Sequence, residues 1–396
     1  MLAVVSDNQD RRTMSQTLCR PCRSIDTRSD TGTARREKPE EVHSVRPKKA
    51  AGHVPPSLSV VVPTRNRPDM LDSALASLEA ALGTEDELIV ADSASTDVRI
   101  GEIASRHGAR YVRCALPGTS RARNAGAASS SGDLIAFVDD DCLVAPAWAT
   151  AIREAFAANA DVGFLAGAVL PIWPAGGVGG LAKRSAERLC VSVNTDTVRL
   201  CVGPIEVSGS PGKSARTRAD LEQFAHAAHG ANMAWRRGLL EELGGFDEQM
   251  GPGTSLLAAE DKDAFYRALI AGARGLLEPA ALAYHLQWRT LGEQLHAYFA
   301  YGVGDAALER KLSMMARCRS KRHAAPSVRL GSLISRCAKD ALGALASGYE
   351  SGFLAECAKL GGALAGSLSS LGFGIEAGHF VEGKATRGPW AWWHAR

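Results

Sequence analysis

Several absences in this 396-residue chain exclude whole classes of protein before any motif is considered. Charge of one sign is not in excess: 46 Lys and Arg against 43 Asp and Glu leave a formal +3, mixed throughout. That is too little to argue for nucleic-acid binding. Long apolar runs are missing too. The uncharged stretch Leu360–Ile375 is rich in Gly and Ser and falls short of the ~20 residues that span a bilayer. Residues 1–5 are apolar, but Asp7, Asp10 and paired arginines follow at once, so no signal-peptide core is expected. The nine cysteines are scattered and odd in number, which suits a reducing compartment better than a disulfide framework. Cys19 and Cys22 form one CxxC without a second pair, weak ground for zinc or redox chemistry. No GxGxxG follows the first apolar strand, where Pro63 stands instead, and no GxxxxGK[ST] occurs. Dinucleotide oxidoreductases and P-loop NTPases are therefore disfavoured. The expectation is a cytoplasmic protein, at most peripheral at the inner face of a membrane.

Residues 1–56 are polar, charged and aperiodic, and read as a disordered segment. An alternating series follows. Leu58–Val62, Leu88–Ala91, Ala109–Val112 and Leu134–Val138 read as short, all-apolar strands. Asp69–Leu82, Arg99–His107, Ser120–Ser129 and Ala147–Ala158 read as the helices between and after them. Such strands imply a Rossmann-like α/β fold, with a mostly parallel central sheet covered on both faces. Val162–Val169 reads as a further strand. Gly- and Pro-rich loops occupy Pro171–Gly180 and Gly203–Gly212; the latter, with Lys213, Arg216 and Arg218, is either a lid over an anionic ligand or a solvated insertion. Structure resumes at Asn232–Leu243 and at a helix over Asp261–Gly272.

Polar residues gather where ligands bind in such sheets, beyond the carboxyl ends of the strands. Asp139, Asp140 and Asp141 end the fourth strand. Clustered carboxylates repel, and a divalent cation carrying an anionic substrate would offset that repulsion. The plain alternative is a solvated turn. A dication on Asp139 and Asp141, alternate residues after a strand end, can bridge two phosphates. Asp261 opens a helix, where free amides and the macrodipole favour a carboxylate that can act as general base. Glu260 beside it orients the acceptor or the loop. Asp263 and Arg267 are spaced for an i,i+4 ion pair.

The ordered set Ser59-Val-Val-Val-Pro-Thr-Arg-Asn-Arg67, Ala91-Asp-Ser-Ala-Ser-Thr-Asp97, Gly118-Thr-Ser-Arg-Ala-Arg-Asn-Ala-Gly126 and Phe137-Val-Asp-Asp-Asp141 resembles the family 2 inverting glycosyltransferases of GT-A fold. Gly230-Ala-Asn-Met-Ala234, Gly245-Phe-Asp-Glu248, Glu260-Asp261 with Arg267, and His285 continue the match, over roughly residues 58–290. The departure is at Asp92-Ser-Ala-Ser, where the family usually carries a second acidic or polar residue and a glycine. The resemblance implies a catalytic domain over 57–290, with a nucleotide-binding half (57–142) and a donor-sugar and acceptor half (143–290), then a helical region (291–396). It implies that Pro63, Thr64, Arg65, Asp92 and Arg123 lie at the nucleotide. Asp139 touches ribose or metal, Asp140 faces away or supports the loop, and Asn232 borders the donor sugar. Asn124 caps or braces its helix or touches ligand, and Asp247 shapes the acceptor loop or closes an Asx-turn. His285 joins Asp139 and Asp141 as the third ligand of Mn²⁺ or Mg²⁺.

The implied reaction moves a sugar from a UDP-, GDP- or dTDP-linked donor to a glycan, lipid-linked, peptide or small-molecule acceptor, with inversion. A nucleotidyltransferase and a non-catalytic nucleotide-sugar-binding protein are the rival readings. Beyond residue 290, Phe299, Tyr301, the basic residues from Arg310 to Arg322 and Trp390, Trp392 and Trp393 suggest peripheral membrane contact, acceptor recognition, core packing or a homodimer contact.

Overall fold

A computed structural model describes residues 56–172, 200–202, 228–319, 330–346, 350–376 and 379–382. Its centre follows from the run Leu-Ser-Val-Val-Val-Pro-Thr of β1 (Leu58–Thr64), every residue of which is buried. Successive side chains of a strand point to opposite faces. Val60 and Val62 accordingly join one core cluster with Leu71, Leu75, Val90 and Ile100, while Val61 joins a second with Phe137, Phe164, Trp235 and Phe265. The second is aromatic: the Trp235 ring stacks on Phe265 and Phe164 at 5.5 and 4.9 Å.

The elements alternate as the sequence predicts: α1 (Pro68–Glu79), β2 (Glu87–Ser93), α2 (Arg99–Arg106), β3 (Arg110–Cys114), α3 (Thr119–Ala128) and β4 (Leu134–Val138). Then come β5 (Cys142–Val144), α4 (Trp148–Ala158), β6 (Val162–Ile172), β7 (Leu200–Val202), β8 (Asn232–Arg236), α5 (Arg237–Glu242), α6 (Glu260–Ala271) and β9 (Arg274–Leu286). Sheet order is β3-β2-β1-β4-β8-β6-β9-β5, with β7 also paired to β9. The pairs β3–β2, β2–β1, β1–β4 and β6–β9 are parallel; β8, β5 and β7 run against their neighbours.

Two registers matter for function. Thr64 lies opposite Asp92, so the polar ends of β1 and β2 open at one level. Cys142 lies opposite His285, which brings the end of β9 beside the aspartate run.

Beyond residue 290 come α7 (Leu291–Arg319), α8 (Leu330–Ala346) and α9 (Glu350–Ser369). A capping box starts α7: the Thr290 N–H and hydroxyl donate to Glu293 Oε2, both at 2.7 Å, and the Glu293 N–H donates back to Thr290 Oγ1 at 3.3 Å. Helices α7 and α9 meet backbone to backbone. A Cβ on Gly302 would collide with the Lys359 carbonyl, one on Gly362 with that of Phe299, and one on Gly366 with that of Val303. The sequence reading expects helix throughout this region; the hairpin β10 (Phe373–Glu376) and β11 (His379–Glu382) departs from it. These strands are four residues each and begin in a Gly-rich run, too short to show a period. Among the described residues no helix is long and apolar enough to cross a membrane. The segment up to residue 55, the loop carrying Lys213, Arg216 and Arg218, and the tryptophans after 389 lie outside the described residues.

Candidate active site

The loops after β1 and β2 are tied into one wall. Asn66 sits at φ 54°, a left-handed conformation that Asn tolerates better than most residues. Its N–H donates to Ser95 Oγ at 2.9 Å and its Oδ1 accepts from the Thr96 N–H at 2.8 Å. Asp92, fully buried at the end of β2, accepts from the Ser95 N–H (2.8 Å), the Tyr111 hydroxyl (2.6 Å) and Arg113 Nη1 (2.8 Å). Burial pushes its pKa up, but the hydrogen bonds from Ser95 and Tyr111 and the charge of Arg113 outweigh this and hold it below the usual carboxylate value. Tyr111 and Arg113, unassigned by the sequence reading, carry an i,i+2 signal on β3 that puts both on one face. Pro63 is buried within β1, and Arg65 is exposed beside the wall.

The three aspartates divide their work. Asp140 is buried and accepts from the Thr64 hydroxyl at 2.7 Å and from Arg67 Nη1 at 2.9 Å. Burial, with Asp141 and Asp139 nearby, raises it to about 6 against the pull of Arg67 and Thr64. It supports the loop. Asp141 is also buried, and its Oδ1 lies 3.4 Å from His285 Nε2. Its Oδ2 accepts from Trp288 Nε1 at 3.0 Å. Burial pushes it up, yet His285, Arg67, Trp288 and Arg289 together hold it below the usual range. Asp139 is part-exposed; its Oδ1 accepts from Arg123 Nη2 at 3.0 Å, and its Oδ2 accepts no hydrogen bond among the described residues.

Asp141, His285 and Cys142 offer ligand atoms within 4.8 Å of one another. Two cis ligands of an ion bound at ~2.1 Å stand ~3 Å apart, close to the separation of Asp141 and His285. Burial and the neighbouring carboxylates push the Cys142 thiol well above its usual 9, while Asp141 and His285 offer an oxygen and a nitrogen donor. Such a set suits Mn²⁺ or Mg²⁺. The Gln287 amide lies 2.9 Å from His285 Nδ1 and fixes the ring with Nε2 toward Asp141. Asp139 stands outside the cluster, its carboxylate turned to Arg123.

Arg123 is where expectation and structure diverge. The resemblance sets it at the nucleotide; the structure buries it, with Nη1 donating to Glu260 Oε1 at 2.8 Å and Nη2 to Asp139 and to the Gly230 carbonyl at 3.3 Å. It links the aspartate run to the start of α6. Glu260, buried beside it, is raised to about 7 by burial and by Asp261, against the opposing charge of Arg123. Asp261 accepts from the Gly230 N–H at 2.7 Å and from the Lys262 N–H at 2.7 Å, which fixes its carboxylate at the helix start. Asn232 also departs from expectation. It is fully buried, accepting from Trp148 Nε1 at 2.8 Å and donating to the carbonyls of Ala168 and Ala281 at 2.9 and 2.8 Å. Its amide braces the sheet, with both donor hydrogens committed to backbone carbonyls.

Behind α6 lies a second ionic cluster. Asp263 and Arg267 pair at 2.8 Å, as their spacing predicts. Lys311 of α7, fully buried, adds contacts to Asp247 (2.5 Å) and Asp263 (2.6 Å). Asp247 closes the expected Asx-turn onto the Gln249 N–H at 3.0 Å and accepts from the Phe380 N–H of β11 at 2.7 Å. Asn124 braces rather than caps, exchanging hydrogen bonds with the Phe246 N–H and carbonyl at 2.8 and 2.9 Å. Trp288, Arg289 and Tyr301 also border the site without having been assigned a role there. Burial pushes Tyr301 above its usual 10, and its surroundings include Arg289, Asp261, Lys262 and Asp141. The available signal was the run His285 to Arg289 between a strand end and a capping box.

Residues 59–244 match the model of the family described as Glycosyl transferase family 2. A validoxylamine A glucosyltransferase of Streptomyces hygroscopicus subsp. jinggangensis is 37% identical over 118 residues, 28% of this chain and 28% of that relative. A glucosyl-dolichyl phosphate glucuronosyltransferase of Haloferax volcanii is 25% identical over 134 residues, 34% of this chain and 36% of that one. The matches thus span about a third or less of the curated relatives' length. Among solved structures, the mannosyltransferase PcManGT from Pyrobaculum calidifontis, in complex with GDP-Man and Mn²⁺, is 17% identical, with 79% of this chain and 87% of that chain covered and a TM-score of 0.48.

Proposed function

We propose that the protein is a nucleotide-sugar-dependent glycosyltransferase that transfers its sugar with inversion, using Asp261 as general base. The observation that carries this reading is the pair Asp141–His285, suited to a cation, together with Arg123, which ties Asp139 to Glu260 beside the fixed carboxylate of Asp261. The family match over residues 59–244 supports it.

Asp141 and His285 would hold the dication, while Asp139, outside their cluster, pairs with Arg123 through Oδ1. The ion supplies neutralisation of the charge that develops on a departing diphosphate. Asp261, its two oxygens oriented by the amides of Gly230 and Lys262, takes the acceptor's proton as the acceptor oxygen attacks the anomeric carbon. Attack opposite the leaving nucleoside diphosphate, with one base and no covalent intermediate, inverts the anomeric centre. Arg123 keeps Glu260 and Asp139 in place, so its contribution to the donor is indirect. Asp92 belongs to the nucleobase wall, where it holds Tyr111 and Arg113. UDP-, GDP- and dTDP-sugars share the required diphosphate. The acceptor is a hydroxyl-bearing glycan, lipid-linked sugar, peptide or small molecule.

The experiment is a donor screen with product identification. Released nucleoside diphosphate, activity lost with EDTA and restored by Mn²⁺, and Asp261→Asn losing about 10²–10⁴-fold in turnover with donor affinity retained support the reading. Released pyrophosphate would assign a nucleotidyltransferase instead. Full activity after exhaustive chelation removes the metal from the scheme.

A further inference from the structure

Asp141 is surrounded by more positive charge than a ligand awaiting a cation needs. Its Oδ2 lies 3.4 Å from Arg67 Nη1 and 3.8 Å from Arg289 Nη2, besides accepting the Trp288 N–H. Both guanidiniums lie over the Trp288 ring, 4.7 and 4.9 Å from its centroid. Both are part-exposed, at 35% for Arg67 and 28% for Arg289, so either can turn without leaving a cavity. Arg67 has a second anchor in Asp140, whereas Arg289 has no other ion pair among the described residues.

A dication on Asp141 and His285 brings two positive charges next to these guanidiniums and removes their reason to stay on the carboxylate. The indole, pinned to Asp141 through its N–H, still offers both a cation–π surface. A guanidinium fork released there matches the oxygens of a phosphate. We propose that Arg67 and Arg289 are placeholder cations: they neutralise Asp141 in the metal-free protein and pass to the donor's diphosphate when the dication takes Asp141. Metal and nucleoside diphosphate then bind with positive cooperativity, through an exchange of partners on the Trp288 platform. The inference rests on the reading of Asp141 and His285 as metal ligands.

Two affinities test it. Free Mn²⁺ measured by electron paramagnetic resonance gives binding of the metal alone. UDP titrated calorimetrically with and without saturating Mn²⁺, corrected for the Mn²⁺–UDP complex in solution, gives the coupling factor, which is the same for either order of binding. In the wild type that factor is expected within the ~5- to 150-fold range of coupled sites. Arg289→Met should bind Mn²⁺ alone about threefold tighter or more and lower the coupling factor at least about fivefold, with Arg289→Lys between. Arg67→Lys, which keeps a charge near buried Asp140, should shift both quantities the same way by less. Unchanged coupling in Arg289→Met, or Mn²⁺ binding no tighter without UDP, overturns the exchange alone. A wild type that binds no Mn²⁺ overturns both the exchange and the metal assignment beneath it.

Discussion

Helix α6 is held by two buried cations that differ in what surrounds them. Arg123 meets its first residue, Glu260, and Lys311 meets its fourth, Asp263. Around Lys311 the charges balance: Lys311 and Arg267 face Asp247 and Asp263, and all four are buried. Around Arg123 they do not. One guanidinium faces Glu260 and Asp139, with Asp261 adjacent, and its Nε has no hydrogen-bond partner among the described residues. The pKa directions follow. Burial pushes Asp263 up, but Lys311 and Arg267 overcome it and hold it low, whereas Glu260 rises to about 7. A balanced cluster fixes position; an unbalanced one is poised to change charge, the usual condition of groups near chemistry.

The strongest way to break the comparison is Lys311→Met. It leaves buried Asp247 without a cation and Asp263 with Arg267 alone, and should cost about 3–5 kcal/mol of folding stability in urea denaturation. If the cost is under about 1 kcal/mol, the cluster is not what fixes α6.

A pH series sharpens the contrast, because the two clusters act with opposite sign. Glu260 has its folded pKa raised above the usual 4.5, so its stabilisation is fully present below that value and is lost as pH rises through about 7. The loss is on the order of 1–3 kcal/mol, and Glu260→Gln should flatten that limb of the stability curve. Asp263 has its folded pKa depressed, so its contribution is present above the usual 3.8 and is lost as pH falls through the depressed value. Asp263→Asn should therefore lower stability at every pH above that range and flatten only the acid limb. A neutral limb that survives Glu260→Gln would place the titrating group elsewhere.

Smaller effects belong to the edges of the two regions. Gln287→Ala frees the His285 ring and should weaken Mn²⁺ binding about 10-fold with folding unchanged. Unaltered Mn²⁺ affinity would mean that the ring is oriented by packing alone. Glu293→Ala opens the capping box of α7 and should cost only about 1 kcal/mol, well below the Lys311 variant. An equal cost would shift the anchoring of α7 from its middle to its start.

The sheet was legible because β1, β2 and β4 are short apolar runs that end in polar residues, and burial on both faces leaves that pattern in one dimension. The pair Asp263–Arg267 was legible for the same local reason. Lys311 was not, since a lysine in a basic helix looks solvated until two carboxylates from distant segments close on it. The direction of Arg123 was hidden likewise: its motif marks a place in the sheet, while burial between Glu260 and Asp139 depends on a helix far along the chain. His285 entered through family resemblance, and its reason is the β5–β9 register opposite Cys142. Trp288 and Arg289 follow that strand end directly and acquire meaning only from where it lands.

The glycine contacts between α7 and α9 set where this chain can drift. At Gly302, Gly362 and Gly366 even a methyl group meets a carbonyl oxygen of the opposing helix, so alanine, ordinarily the mildest replacement in a helix, should be among the worst there. Leu354, Leu364, Leu368 and Leu371 face outward along the same part of the chain and should accept polar substitution freely. A saturation mutagenesis profile of this region would then run against hydropathy, intolerant at its smallest residues and permissive at its largest.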